Sequence, residues 1–510
     1  MGPYDTPSTP DPFDRATDFF TALVADLTAP AAGGLTHDEL EELLDARGRE
    51  ILRQLLQDHL DLRALREERA VRSQPHPRIG ADQLPRPRVE YGHRRALATL
   101  FGTVTVRRCT WRAPGMSNYH PADVTLSLPK NRHSHGLVRL AALEAARGSF
   151  DAASAAIARR CGPVIGKRQI GQAVVTAARD IDAFYAQRIC LPSTASTLLV
   201  ISVDGKGIVM RPDALRAATA KAAAARGTGR FRTRLASGEK PARKRMATLA
   251  CVYDCEPAPR RPHDVIAPPG GRGGDRVLRP GPKAKGKWLD GSVADTPASV
   301  IARAFEQAES RDPGHRRPWV VLVDGAPHQL ELIQAEAARR RATVHIVIDI
   351  VHVLEYLWSA AWSFHDSGDP AAEDWVSVQA LAVLVGDARR VATTIETRAD
   401  KAGLTVDQRR GADSCIRYLT SKAKFLHYDR ALAAGWPIAS GVIEGACRHL
   451  IADRLDISGA RWGLDGAEAV LKLRAVFSNG DFNTYWPFHI AREHERVHQN
   501  PQQDKYVLGA

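Results

Sequence analysis

Short apolar runs in the middle of the chain constrain its fold more than any other feature. Leu198–Val209 (LLVISVDGKGIV), Met246–Tyr253 (MATLACVY), Trp319–Asp324 (WVVLVD) and Thr343–Asp349 (TVHIVID) are rich in β-branched residues and nearly free of charge. Segments of helical period, Pro297–Glu309 and Gln329–Arg341, separate the later runs. Runs this short and this apolar suit strands buried on both faces, and strands alternating with helices form a sheet with parallel members. The expected class is a mixture of α+β and α/β in several domains, because 510 residues exceed what one core organises.

The flanks are helical. Residues 1–15 read as disordered, and 16–88 as a helical region closed by the Pro-rich linker 73–88. Within it Leu40, Leu43, Leu44, Ile51, Leu52, Leu55 and Leu56 recur at three and four. In 89–135, Arg94–Arg112 alternates as a β-hairpin around Gly102. Residues 136–190 carry three helices: Leu137–Arg147, Phe150–Arg160 capped by Ser149, and Lys167–Gln187. Two short helices, a turn at Cys161-Gly162-Pro163 and a longer helix opening with Lys167, Arg168 and Gln169, Gln172 a turn later, match a helix-turn-helix DNA-binding unit. An ordinary three-helix packing unit is the alternative. Beyond the first part of the sheet domain (191–352), residues 353–435 read as a helical insertion, with Leu381, Leu384, Ala388, Val391 and Ile395 on one face. A final helix starts near Ser440 within 436–480, and 481–510 reads as a tail.

Charge is unevenly placed. There are 71 Lys+Arg against 58 Asp+Glu, a net charge of +13. Residues 211–245 hold eleven basic residues against two acids, and 257–287 hold eight against two. Both stretches are studded with Gly and Pro, so they read either as mobile arms that neutralise phosphates or as solvated loops. Arg230, Arg232, Arg234 and Lys244 are the DNA-contact candidates of the first. The opening MGPYDTPSTPDPFD lacks the basic and apolar regions of a signal peptide. The most apolar stretch, Ala342–Ala361, is interrupted by His345, Asp349, His352 and Glu355, so it is no membrane span. Seven irregularly spaced cysteines suit a reducing, cytoplasmic setting, with Cys251 and Cys255 as buried thiols.

Carboxylates stand out against this background. Val203-Asp204-Gly205 and Val323-Asp324-Gly325 each put an Asp where an apolar strand leaves a sheet. An ionised Asp there is costly unless paired or bound to a cation. Glu444, in ASGVIEGACR (439–448), falls in the first turns of a helix with Ser440 as N-cap, on a face with Cys447 and Arg448. Hard oxygen donors from two strands and one helix suit Mg²⁺ or Mn²⁺, and two such ions about 4 Å apart serve phosphodiester chemistry. The order strand-Asp, strand, strand, helix, strand-Asp, helix, strand and helix-Glu is that of a ribonuclease H-like core.

From about Arg94 onward the chain resembles insertion-sequence transposases of the ISKra family, which belong to the DDE transposases. The resemblance lies in SLPKNRHSHGLVRLAALEAARGSFDAA (127–153), VDGKG (203–207), VDGA (323–326), DIVHVLEYLW (349–358), ASGVIEGACRHLI (439–451) and GARWGLDGAEAVLKLRAV (459–476). It implies Asp204, Asp324 and Glu444 as catalytic, metal-holding residues. Asp349-Ile350-Val351-His352 also looks like the Asp/Cys-x-x-His motif of Mutator-like transposases, where the His lies near DNA; Asp349 as a helix cap is the local alternative. Arg461 and Trp462 could meet a phosphate and a base, or pack as core and surface. Some relatives carry a zinc ribbon after the hairpin; Cys109 stands alone here, so no structural zinc is expected.

The function so implied is cleavage and strand transfer of DNA at terminal inverted repeats, by a homodimer or larger complex with no membrane involvement. A DNA-binding protein that no longer cuts, and a nuclease of the same fold that does not join DNA, are the alternatives.

Overall fold

The computed structural model describes residues 11–74, 76–188, 196–225, 243–270, 277–457 and 459–499. The chain divides into two compact units, one of residues 1–186 with 482–510 and one of residues 187–481. No helix among the described residues is long and apolar enough to cross a membrane.

In the first unit, helices Asp14–Thr28 and His37–Ser73 form an antiparallel pair. The second opens with a capping box in which Thr36 and Glu39 satisfy each other's backbone N–H. Its C-terminal half lies on the hairpin of β1 (Arg88–Thr99) and β2 (Gly102–Arg112), longer by six residues than its alternation suggested. Leu60, Leu97, Val104, Val106 and Leu128 make one core there, and Val71, Cys109 and Trp111 a second. Three helices follow at His135–Arg147, Phe150–Cys161 and Lys167–Ala178, the first two capped by Ser134 and Ser149.

The expected third helix to Gln187 is instead two, broken at Arg179-Asp180. Asp180 is buried there and bonded to His489 Nδ1 at 2.7 Å and Arg496 Nη2 at 2.6 Å. Those partners correct a second expectation: the C-terminal segment is a helix, Phe482–His494, rather than a tail. Tyr485 donates from it to the Ala177 carbonyl at 2.6 Å.

The second unit is built on a five-stranded mixed sheet: β3 (Leu198–Val209), β4 (Lys244–Cys255), β5 (Lys285–Ser292), β6 (Trp319–Val323) and β7 (Val344–Ile348). Their order is β5-β4-β3-β6-β7, with β4 antiparallel to both neighbours and β6 and β7 parallel to β3. Helix Pro297–Arg311 covers β4 and its neighbours with Val300, Ile301, Ala304, Phe305 and Ala308, an i, i+1, i+4, i+5, i+8 stripe.

The described ends of both basic stretches are anchored in the fold. Lys244 and Arg245 open β4; Lys244 pairs with Asp456 at 2.9 Å, and Arg245 donates to the Val293 carbonyl at 2.7 Å. Residues 285–287 belong to β5, and Ala258 and Arg260 donate backbone bonds to Gly435 and Leu432. Arg230, Arg232 and Arg234 lie outside the described residues.

Helices Ile350–Ala361, Pro370–Leu384, Ala388–Lys401 and Val406–Lys422 fill the expected insertion. The face assigned to Leu381 through Ile395 is split by a turn at Gly386, whose φ of 101° ends the helix. The chain then returns to the sheet through Gly441–Ala446, and helix Leu464–Ser478 packs on β5.

Beneath that helix lies a buried charge cluster. Asp290 of β5 is bonded to Lys472 Nζ at 2.9 Å and Arg303 Nε at 2.6 Å. Burial raises the Asp290 carboxyl, but the two cations outweigh it and hold the group below the ordinary carboxylate value. Its stabilising contribution is therefore present above about pH 4 and lost as pH falls through the depressed folded value. Lys472→Met should cost about 3 kcal/mol in urea unfolding at pH 7, because it leaves Asp290 short of a partner in the core. That deficit should shrink once Asp290 is protonated in both proteins.

Candidate active site

Two parallel ladders fix the level of the candidate aspartates. β3 pairs with β6 from Leu199↔Trp319 to Ser202↔Leu322, and β6 with β7 from Trp319↔Val344 to Val323↔Ile348. Carried a residue or two further, these registers put Asp204, Asp324 and Asp349 level with one another on three neighbouring strands, whose spacing is about 4.8 Å. Asp204 does not end its strand, as its sequence suggested. β3 runs on to Val209 against β4, and Asp204 marks the point where it outruns β6, leaving that edge of the strand open.

Asp324 leaves β6 into a turn that its own carboxylate closes, accepting from Ala326 N at 2.9 Å. Gly325 follows with φ of 89°, a conformation that favours glycine. Gly205 carries no positive φ.

Asp349 caps the His352 helix by accepting from Val351 N at 2.7 Å. It is wholly buried and also accepts from Ser440 N at 2.8 Å and from the Ser440 hydroxyl. Ser440 therefore does not cap the Glu444 helix with its side chain, contrary to its sequence context. A buried carboxylate needs every available donor, and the hydroxyl goes to it.

The Glu444 helix packs against β3 and β4 and widens at once into a π-helical turn, Cys447–Ala452. Such turns recur at functional sites. Cys447 donates from Sγ to Asp204 Oδ2 at 3.1 Å; burial, and then Asp204, push its thiol up, so it stays protonated as donor. The Glu444 carboxyl is raised, first by burial and then by the charges of Asp349 and Asp204, with His352 opposing. Glu444 thus shares the field of the aspartate row.

Among the described residues, no Lys, Arg or His forms an ion pair with Asp204, Asp324 or Glu444. Three hard-oxygen donors lacking a cation fit a divalent ion by charge and type. Their spacing matters too. The described acid and histidine group whose ligand atoms all lie within 4.8 Å of one another is Asp180, His489 and Glu493 in the other unit, where Arg179 and Arg496 already meet the charge. Asp204, Asp324 and Glu444 do not form such a tight group.

Beside Asp324 opens a cleft of about 460 Å³, lined by His352, Glu355, Tyr356, Tyr418 and Lys422. His352 Nδ1 lies 3.2 Å from Glu355, and Tyr418 donates to the Asp324 carbonyl at 3.1 Å while stacking on Tyr356 at 3.9 Å. Tyr418 and Lys422 gave no signal in the sequence, because they reach the site from a helix of the insertion almost a hundred residues after Asp324. Gly411 of that helix makes the approach possible: a Cβ there would lie 2.0 Å from the Ser359 carbonyl oxygen.

The remaining candidates fall in different places. Arg448 and Arg461 are exposed. Trp462 belongs to the core: it is 6% exposed, donates from its indole to the Leu455 carbonyl at 3.0 Å, and lies under Arg454. In the other unit, Lys167 pairs with Asp151 at 2.6 Å and Gln169 caps its own helix by accepting from Gly166 N. Arg168 and Gln172 are exposed. The chain matches no protein-family model, and comparison with curated proteins finds no match.

Asp349→Ala would strip the acceptor from three donors and free the segment leading to Glu444. Thermal and urea unfolding should register a loss of about 3 kcal/mol; a change below about 0.5 kcal/mol would contradict the clamp.

Proposed function

We propose that this chain is a DDE-type DNA transposase of a bacterial insertion sequence, acting on DNA in the cytoplasm. The observation that carries the reading is that Asp204 and Asp324 stand level on neighbouring parallel strands, that Glu444 lies in the field of Asp204, and that none of the three pairs with a cation among the described residues. The strand order β5-β4-β3-β6-β7, with β4 alone reversed, supports a ribonuclease H-like core. Helices His135–Arg147, Phe150–Cys161 and Lys167–Ala178 are the candidate helix-turn-helix unit for the terminal repeats.

Asp204, Asp324 and Glu444 would hold Mg²⁺ or Mn²⁺, in two ions, which supply Lewis-acid stabilisation of charge at phosphorus and an activated oxygen nucleophile. Asp349 is a positioning residue, holding the entry to the Glu444 helix against the end of β7. Water attacks the phosphodiester at the element's end and leaves a 3′-hydroxyl. That hydroxyl then attacks a target phosphodiester, forming the new linkage and displacing the target's own 3′-oxygen. Cutting two ends calls for at least a dimer.

The test uses duplexes carrying the inverted repeats that should flank the coding region, a target plasmid and Mg²⁺. Wild type should give nicked and joined products that vanish with EDTA, and Asp204→Asn or Glu444→Gln should lower them about 100-fold or more. Nicking without joining would point to a nuclease; binding without nicking, to a DNA-binding protein; equal activity in the variants would remove the triad. Replacing Arg230, Arg232 and Arg234 together by Ala should flatten the dependence of log K on log salt by up to about 3 for duplex DNA. An unchanged slope would assign them no phosphates.

A further inference from the structure

The first unit contains a cleft of about 1090 Å³ that the chemistry above does not use. One wall is the face of helix Lys167–Ala178 that carries Gln169, Gln172 and Thr176. Another is the loop from Pro129 to His133, held in place by Arg95, whose guanidinium donates to the carbonyls of Lys130 at 3.0 Å and Asn131 at 2.6 Å. With its backbone fixed, the loop leaves Lys130, Asn131 and Arg132 exposed at the rim.

The lining is cationic. Seven Lys or Arg residues face three carboxylates. Each carboxylate is already engaged: Asp82 by Arg86, Asp123 by Arg95 and Arg108, and Glu493 by Arg179. Arg132 has no carboxylate partner among the described residues. Walls with an excess of positive charge fit an anionic guest.

We propose that this cleft binds a single strand of DNA, its phosphates at Arg132 and Lys130 and its base edges toward Gln172. A helix that reads duplex DNA must protrude into a major groove about 12 Å wide. Lys167 and Arg168, at the opening of this helix, lie outside the cleft and are the part left to a duplex, whereas Gln169, Gln172 and Thr176 form the wall of a concavity, which suits an unpaired strand. The site rests on the reading that the chain handles DNA and adds a strand-holding function remote in sequence from the carboxylates. It gives the first unit a preference for frayed or unpaired ends.

The experiment measures fluorescence anisotropy of a labelled oligothymidine of about 12 nucleotides with the full chain in EDTA, so that cleavage plays no part. Arg132→Glu and Gln172→Glu, on separate walls, should each weaken binding about 10-fold, and Arg132→Glu should reduce the salt slope by about 0.7. Arg66→Glu, exposed on helix His37–Ser73 and outside the cleft, should change affinity less than about 2-fold. Three results would overturn the proposal: no binding by wild type, equal loss with Arg66→Glu, or a same-length duplex binding more tightly through Arg132. Failure of the carboxylate chemistry would show only in the metal-dependent nicking assay, and failure of the cleft only here.

Discussion

A buried carboxylate organises the second unit. Asp349 closes β7, starts the His352 helix and receives both donors of Ser440, so one side chain joins the sheet, the helical insertion and the segment leading to Glu444. Removing an ion from water is costly, and only a full set of donors offsets it. That cost acts as a selector. Any arrangement that lets the Glu444 segment drift leaves a charge in the core without partners, so the loop returning from the insertion has one favoured seat. The two parallel ladders do the rest, since their register levels Asp204 and Asp324 with this anchor.

Much of this was legible in the sequence, for reasons that vary by element. β3, β4, β6 and β7 announced themselves through length and apolarity, and Ser149 marked its helix by cap chemistry. β5 escaped as a distinct segment because KGKWLDGS begins with lysines on an edge strand, where charge is tolerated and alternation is weak. The long C-terminal helix was hidden by Pro487 within it and by aromatic residues that vary little around its circumference. At the site, the three carboxylates could be named from strand ends and helix spacing. Tyr418 and the role of Ser440 could not, since both depend on contacts across some ninety residues of chain.

Net charge proved a poor guide to where cations act. Lys244, Arg245 and Arg260 are counted in the two basic stretches, yet each is engaged with a carboxylate or a backbone carbonyl of the folded unit. Arg95 does the same in the first unit, where its role is to fix a loop rather than to meet solvent. A cation surrounded by acceptors is structural wherever it falls in the sequence. Among the described residues, Arg132 is one that pairs with no carboxylate and so stays available to polyanions.

The first unit is interrupted by about 300 residues and is completed by helix Phe482–His494, which supplies Tyr485 to Ala177 and His489 to Asp180. Its last structural piece is therefore the last to be synthesised. At about 5–20 residues per second, translation delays that piece by roughly 15 to 60 seconds after the rest of the unit has been made. During that interval Asp180 has neither His489 nor Arg496, and the groove-bearing helices lack one of their packing partners. A nascent chain is thus held short of its finished first unit until residues 482–496 have been made, and a stop codon ahead of them would harm a unit built mostly of residues 11–186.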